Sequence, residues 1–380
     1  MSPERSSSAA SRPPVAVLLG GPSAEHDVSV VSGTAVAEAL RASGFPVQPI
    51  LLDLDGAWWW LPPDHRREGR PPSAYDEPAR LGALGPFRAG AALDRLAAAE
   101  PPPVVFIALH GPFGEDGTVQ ALLEAADLAY TGSGVTASAL GMDKVLFKRL
   151  VRGLGLPVVD WREVRAERWA ADPDAVLAEL EAFAAATGDE RLMVKPARLG
   201  SSVGMTLAHG AEERTAALEE AFRFDTLALA ERYLAGARDL EVSVIGNDPA
   251  RLEVFGPGEI VPGREFYDYR DKYLDGLART LASADLAPDL GESIRRFARD
   301  AYLAIGAEGF ARVDFLLAGG ELFLNEINTI PGFTPISLFP TMPAAAGHDF
   351  GAVVVWIVEL ALERQAARVR RRLQPADLPR

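Results

Sequence analysis

Short apolar runs alternate with stretches of helical period along the first third of the chain. Val15 to Leu19 is one such run, closed by Gly20-Gly21-Pro22, and Ser29 to Leu40 then carries apolar residues at helical spacing. Val47 to Leu52 and Val104 to Leu109 repeat the first pattern. Runs that are apolar on both faces suit the buried strands of a parallel sheet. The last runs into His110-Gly-Pro-Phe-Gly-Glu-Asp-Gly117 and a helix from Thr118 to Ala126. Together these elements predict an open, Rossmann-like α/β domain over 14–136. The stretch 53–103 is rich in Pro, Gly, Arg and Ala and reads partly as an insertion or exposed loop. It contains Trp58-Trp59-Trp60, which cannot all face one core, so some are expected to cap a strand edge.

A second unit is expected over 137–230. It starts with one helix, Ser138 to Gly153, followed by an extended region from Pro157 to Asp160 and an alanine-rich helix, Asp172 to Thr187. The strand Leu192 to Lys195, the glycine-rich loop Arg198 to Gly204, a strand and a helix complete it. A third unit is placed over 231–380, with the strand Thr226 to Glu231 at its threshold. It holds the apolar run Glu241 to Ile245, a tyrosine-rich polar loop (266–276), a helix (Ser293 to Ile305), two close strands (Arg312 to Leu317, Glu321 to Ile327) and a C-terminal helix. The fold class is α/β, with α+β character in the C-terminal part. No internal repeat is visible. Residues 1–13 lack an apolar core and read as a disordered tail, not a signal peptide.

Composition narrows the function classes. The 380 residues include 53 acidic and 38 basic side chains, a net charge of −15. That argues against a nucleic-acid partner, which needs a basic footprint. It also means that an anionic ligand must be held by a few well-placed cations. The chain has no cysteine, which excludes disulfides, a thiolate nucleophile and cysteine-bound metals. The apolar stretch Phe350 to Val358 falls well short of the roughly 18 residues a spanning helix needs, so no membrane partner and a cytoplasmic location are expected. Of the basic residues 34 are arginine and four are lysine: Lys144, Lys148, Lys195 and Lys272. Those four positions are either codon chance or places that need a compact ammonium. The C-terminal arginines 368, 370, 371 and 372 read as a solvated helix face and tail.

The last strand pair is the strongest chemical signal. Arg312 and Asp314 share one strand face, and Glu326 and Asn328 share a face of the next. A three-residue hairpin loop, Ala318-Gly-Gly320, would put all four on one side, with Arg312 opposite Glu326 and Asp314 one diagonal step away. Oxygen ligands without histidine or cysteine suit Mg2+, against the plainer reading of a cross-strand ion pair. The turn Asn328-Thr-Ile-Pro-Gly-Phe333 would supply backbone N–H groups beside that metal. The loop Gly200-Ser-Ser-Val-Gly204 follows the strand bearing Lys195; it is a phosphate cradle or a plain turn. Glu25 ends the first strand segment, where open sheets place ligands, and either binds an amine, acts as a base or meets the helix dipole. His110 ends another strand and either faces the same crevice or is structural.

In this order, the motifs GGPSAEHDVSVVSG (20–33), HGPFGEDGTVQ (110–120), YTGSGVTASALGMDK (130–144), VKPARLGSSVGM (194–205), FYDYRDKY (266–273), ARVDF (311–315) and NEINTIPGFTPISL (325–338) resemble the D-alanine–D-alanine ligases of the ATP-grasp superfamily. The resemblance runs from about Val15 to the helix after Phe350. It implies an ATP-grasp fold behind an N-terminal pre-ATP-grasp domain. The implied activity is ATP-dependent ligation of two D-alanines through an acyl phosphate, for peptidoglycan precursors. D-alanine–D-serine and D-alanine–D-lactate ligases are the alternatives. The implied cofactors are ATP and two Mg2+ ions, for which Mn2+ can substitute, and the implied assembly is a homodimer. By motif match, Lys144, Lys195 and Ser202 hold phosphates, and Glu231, Leu234 and Asp239 hold adenosine. An extra residue after Gly236 leaves Glu241 as a second candidate for the ribose. Asp314, Glu326 and Asn328 are the implied metal ligands. Arg312 and Gly332 stabilise the oxyanion. Glu25, with Ser201 and Tyr273, receives the first D-alanine. Ser337 and Leu338 receive the second, and His110 is counted among the substrate-binding residues. Lys272 lies in a loop that closes the site.

Overall fold

The computed structural model describes residues 12–261 and 279–369, and three sheets organise them. The first contains β1 (Val15–Gly20), β2 (Val47–Leu52), β3 (Trp58–Trp60), β4 (Leu84–Phe87) and β5 (Val104–Ile107), in the order β4-β3-β2-β1-β5. β1 pairs in parallel with β2 and β5, while β3 and β4 extend the sheet antiparallel. Every residue of β1 is buried because both faces are covered. Val15 and Val17 pack with α1 (His26–Ala42) and the C-terminal helix Phe350–Val369. Ala16 and Leu18 face the opposite way, toward α2 (Ala89–Ala97) and α3 (Thr118–Ala125).

The segment 53–103 is thus no simple insertion: it contributes two strands and a helix. Its tryptophans alternate as a strand requires. Trp58 and Trp60 enter the core beneath α2, and Trp59 points to the other face, its indole N–H donating to Asp53 at 2.8 Å.

The single helix expected over Ser138 to Gly153 is two, α4 (Val135–Met142) and α5 (Lys144–Gly153). Asp143 makes the break. Its backbone is extended and its carboxylate accepts the N–H groups of Val145 and Leu146, each at 3.0 Å. Such a cap contributes about 1 kcal/mol.

The second sheet comprises β6 (Trp161–Arg165), β7 (Arg191–Pro196), β8 (Thr206–His209) and β9 (Leu227–Arg232), all antiparallel in the order β6-β9-β7-β8. Helices α6 (Ala166–Ala171), α7 (Pro173–Thr187) and α8 (Gly210–Phe222) accompany it. The boundary expected at 230/231 falls inside β9, which sits in the interior of this sheet and therefore belongs to the second unit.

The third sheet, β12-β11-β10-β13-β14, is built from β10 (Arg238–Ile245), β11 (Glu253–Val261), β12 (Arg279–Leu281), β13 (Phe310–Ala318) and β14 (Glu321–Asn328). It packs on α9 (Pro288–Ala304), and α10 (Leu338–Ala345) and α11 (Phe350–Val369) follow it. Among the described residues no single helix is long and apolar enough to cross a membrane. Arg368 is less solvated than expected, since its guanidinium donates to the Glu124 carbonyl at 2.8 Å; Arg370, Arg371 and Arg372 lie outside the described residues.

The β13–β14 register differs from the one expected. The turn has two residues, Gly319 and Gly320, both at positive φ. Pairing then slips by one residue between Asp314 and Phe315, so Asn325 is a bulge. The result places Asp314 opposite Glu326 and Arg312 opposite Asn328. All four still share one face, as expected, because the turn and the bulge together keep the parity.

Candidate active site

A cleft opens between the second and third sheets, lined by β7, the glycine-rich loop, the segment after β9, and β10, β13 and β14. The helix break at Asp143 aims Lys144 into it. The Lys144 backbone N–H bonds the Ala197 carbonyl at 3.1 Å. Its Nζ donates to the Leu199 carbonyl at 2.7 Å and lies 3.2 Å from Glu326. Burial disfavours this ammonium, but Glu326 and the neighbouring carboxylates outweigh it, so its pKa is raised. Lys195, on β7, lies 2.8 Å from Glu231 and 3.5 Å from the Asn325 amide oxygen. Glu231, Leu234 and Asp239 line one end of the cleft, as do Tyr233 and Met193. Ser201 and Ser202 both adopt positive φ, 51° and 58°. Two consecutive non-glycine residues there are uncommon and turn backbone toward the cleft.

The opposite wall carries the strand-pair residues. The Arg312 guanidinium forks onto both Asp314 oxygens at 2.7 Å and lies 3.2 Å from Glu241. The Asn328 amide donates to Asp314 at 2.9 Å. Asp314, Glu326 and Asn328 therefore converge as expected, each engaged within the protein. Glu241 sits opposite Asp314 on β10 and meets Arg312, and Asp239 stands two residues before it on the same strand; both line the cleft.

The third corner joins the first sheet to the other two. Glu25, 5% exposed, hydrogen-bonds Ser201 across the cleft. It is caged by two glycines: a Cβ on Gly111 would stand 2.5 Å from its Oε2, and one on Gly200 2.8 Å. His110 is held by protein on both sides of its ring. Its Nδ1 donates to the Ile330 carbonyl and its Nε2 accepts from Ser32, both at 2.9 Å. Both nitrogens face protein, and burial holds the ring near pKa 4, hence neutral. His110 thus ties the 328–333 turn to α1. Gly332 faces Ser337, whose Oγ accepts the Thr334 N–H at 3.0 Å. The Leu338 side chain packs into the core. Tyr273 and Lys272 lie outside the described residues.

Sequence reasoning missed three residues. Glu115, 7% exposed, accepts the N–H of Gly111 at 2.9 Å and of Ile330 at 3.1 Å, latching two site loops together. Burial and the nearby Glu25 push its pKa up to about 8. Asn325 reaches Lys195 only because of the bulge. Lys148, given no role in the resemblance, is fully buried with its Nζ 2.8 Å from Glu231. A lysine one turn from Lys144, on the same helix face, was the available signal.

Known proteins are similar to this chain along most of its length. Residues 14–133 match the family described as D-ala D-ala ligase N-terminus, and 150–359 match D-ala D-ala ligase C-terminus. The D-alanine–D-alanine ligase of Chlorobaculum tepidum is 40% identical over 370 residues, 94% of this chain and 98% of the relative. That of Kineococcus radiotolerans is 42% identical, with 93% and 97% covered. The structure of the D-alanine-D-alanine ligase from Coxiella burnetii superimposes with a TM-score of 0.75 at 30% identity, covering 95% of this chain and 97% of that one. The VanG D-Ala:D-Ser ligase from Enterococcus faecalis gives 0.76 at 30% identity, covering 92% and 99%. The matches run over nearly the whole length, and the chain, with its ATP-grasp fold, belongs to the D-alanine–D-alanine ligase family.

Proposed function

We propose that this enzyme joins two D-alanines into D-alanyl-D-alanine for peptidoglycan precursors, converting ATP to ADP and phosphate. One observation carries the substrate assignment: a buried carboxylate, Glu25, accepts a hydrogen bond from Ser201 of the glycine-rich loop, and Ser201 lines the cleft that also holds Arg312. Glu25 suits the ammonium of a small amino acid. The guanidinium of Arg312 suits the negative charge that develops where the amine attacks. Lys144 and Lys195 orient the phosphates, and the consecutive serines with positive φ present backbone N–H groups to them. A closing segment that keeps water from an acyl phosphate is the role proposed for the loop bearing Lys272 and Tyr273.

The charges in the cleft bear on the metal. Lys144 faces Glu326, Lys195 faces Glu231, and Arg312 faces Asp314 and Glu241. Lys144 and Arg312 are thus matched by carboxylates, and a nucleotide beside them gains from positive charge that arrives with it. Among the described residues no cluster of three His, Cys, Asp or Glu side chains forms a cage. That fits Mg2+, which takes one or two carboxylates and completes its shell with water and phosphate oxygens. Asp314, Glu326 and Asn328 would hold two such ions, with Mn2+ as a substitute. Bound there, the metal would supply charge neutralisation at the transferring phosphoryl group. A homodimer in the cytoplasm belongs to the same proposal.

The likeness to VanG supports a second reading, D-serine as acceptor; D-lactate is the third. Phosphate release with ATP and Mg2+ tests all of them. D-alanine alone is expected to support turnover, L-alanine none. Turnover only when D-serine or D-lactate is added would overturn the assignment.

A further inference from the structure

Lys148 is a buried ammonium to which the ligation chemistry above gives no part. It lies on α5 one turn beyond Lys144, 0% exposed, with its Nζ 2.8 Å from Glu231 Oε1. The Trp161 ring centroid is 5.6 Å away, and Arg152 stacks on that same ring at 4.2 Å. Lys195 grips the other oxygen of Glu231 at 2.8 Å. The carboxylate is therefore held at each end by a different ammonium. Burial favours its neutral acid, but the two lysines outweigh burial and keep it ionised.

The charge count gives this row a purpose. Lys195 and Glu231 alone would form a neutral pair, and an ammonium matched one to one with a buried carboxylate projects little field toward a phosphate. Lys148 adds a second positive charge on the far side. The row Lys148–Glu231–Lys195 then carries one net positive charge, and its open end is Lys195, in the cleft wall. We propose that Lys148 is a positioning residue for nucleotide binding: by countering Glu231 from behind, it leaves the charge of Lys195 available to the phosphates. The inference rests on the ATP reading above and assigns a function to a side chain that touches no ligand.

Three variants test it: Lys148→Met, Lys148→Arg and the double variant Lys148→Met/Glu231→Gln. The probes, with Mg2+, are ATP and inorganic tripolyphosphate; the latter reads the phosphate end without the base. Lys148→Met should raise the KM for ATP and the inhibition constant of tripolyphosphate by about tenfold or more. The KM for D-alanine should stay within about twofold, a split that a general loosening of the fold would not give. The double variant returns the row to one net charge and should bring tripolyphosphate back to within about threefold of wild type. Lys148→Arg keeps the charge and should do the same, though with lower thermal stability because a guanidinium must fit an ammonium-sized space. An unchanged tripolyphosphate constant in Lys148→Met, or a double variant as weak as the single, would overturn the proposal. If Lys148→Met does not fold, the double variant decides alone: binding within threefold sustains the proposal and a tenfold loss ends it. A wild type that hydrolyses no ATP with D-alanine would instead defeat the functional reading itself.

Discussion

Gly200→Ala should damage handling of the first amino acid while leaving the fold and the nucleotide site intact. The three nearest atoms to a Cβ at this position all belong to one carboxyl group: Glu25 Oε2 at 2.8 Å, Oε1 at 3.1 Å and Cδ at 3.3 Å. Gly200 does not occupy the positive-φ region, so alanine meets no backbone penalty and removes some freedom from the unfolded chain, a gain of about 0.4–1 kcal/mol. The clash is therefore relieved by the carboxylate, which must retreat by roughly half an ångström to reach ordinary contact. Glu25 is buried and tied to Ser201, so its new position is displaced from the one that would meet the substrate ammonium. Misplacement of about 1 Å costs on the order of a hundredfold, so half of that should cost roughly tenfold in kcat/KM for D-alanine. Steady-state kinetics at saturating ATP read this effect, and the KM for ATP should change less than twofold. Gly204→Ala is the contrast. There φ is +69°, and the Cβ would meet Phe224 and Pro196 at 2.9 Å, so it should appear as lost thermal stability. The reasoning fails if Gly200→Ala leaves D-alanine kinetics untouched, or if it raises the KM for ATP equally.

Glu115→Gln should change how stability depends on pH. With its pKa at about 8 in the folded protein, Glu115 keeps its proton while the unfolded chain loses one near pH 4.5, so stability falls as pH rises between these values. The shift corresponds to roughly 4–5 kcal/mol across that window. Glutamine removes this slope at the cost of about 1 kcal/mol for a lost N–H bond. The difference in unfolding free energy between variant and wild type should therefore move in the variant's favour from pH 5 to 8.5, and parallel curves would refute it. Glu326→Gln should retain the circular dichroism of the wild type and fall below about a tenth of its turnover; higher activity would sink the metal assignment. Asp143→Ala removes the acceptor for two N–H groups and should cost about 1 kcal/mol in denaturant unfolding.

What the sequence made legible follows from which interactions are local. β1 and β5 were readable because their buried residues form unbroken apolar runs, and β2 because only Gln48 interrupts its run. The helix break at Asp143 was not read, although an Asp two residues before Val145 is a cap signal, because Met142 and Val145 continue the apolar period across it. Segment 53–103 was misread since β3 and β4 are very short, and β4, the edge strand, pairs with a strand well before it in the chain. The hairpin register was off because a bulge has no fixed local signature. Its consequence is chemical: Asn325, which simple alternation would turn away from Glu326's face, instead reaches Lys195.

The same distinction separates the two kinds of site residue. Glu25, Lys144, Lys195, Arg312, Asp314, Glu326 and Asn328 stand in recognisable segments, and the fold brings them around one cleft. The groups that balance their charge come from elsewhere: Glu241 reaches Arg312 from β10, and Lys148 reaches Glu231 from α5. Such partners are specified by the fold alone, since each pairing crosses between elements. In a chain of net charge −15, a cleft for a polyanion works only if its cations are neither left unpaired in the low-dielectric interior nor fully neutralised. A carboxylate between two ammoniums meets both conditions. Burial is satisfied at Glu231, and one positive charge remains at the end that faces the ligand.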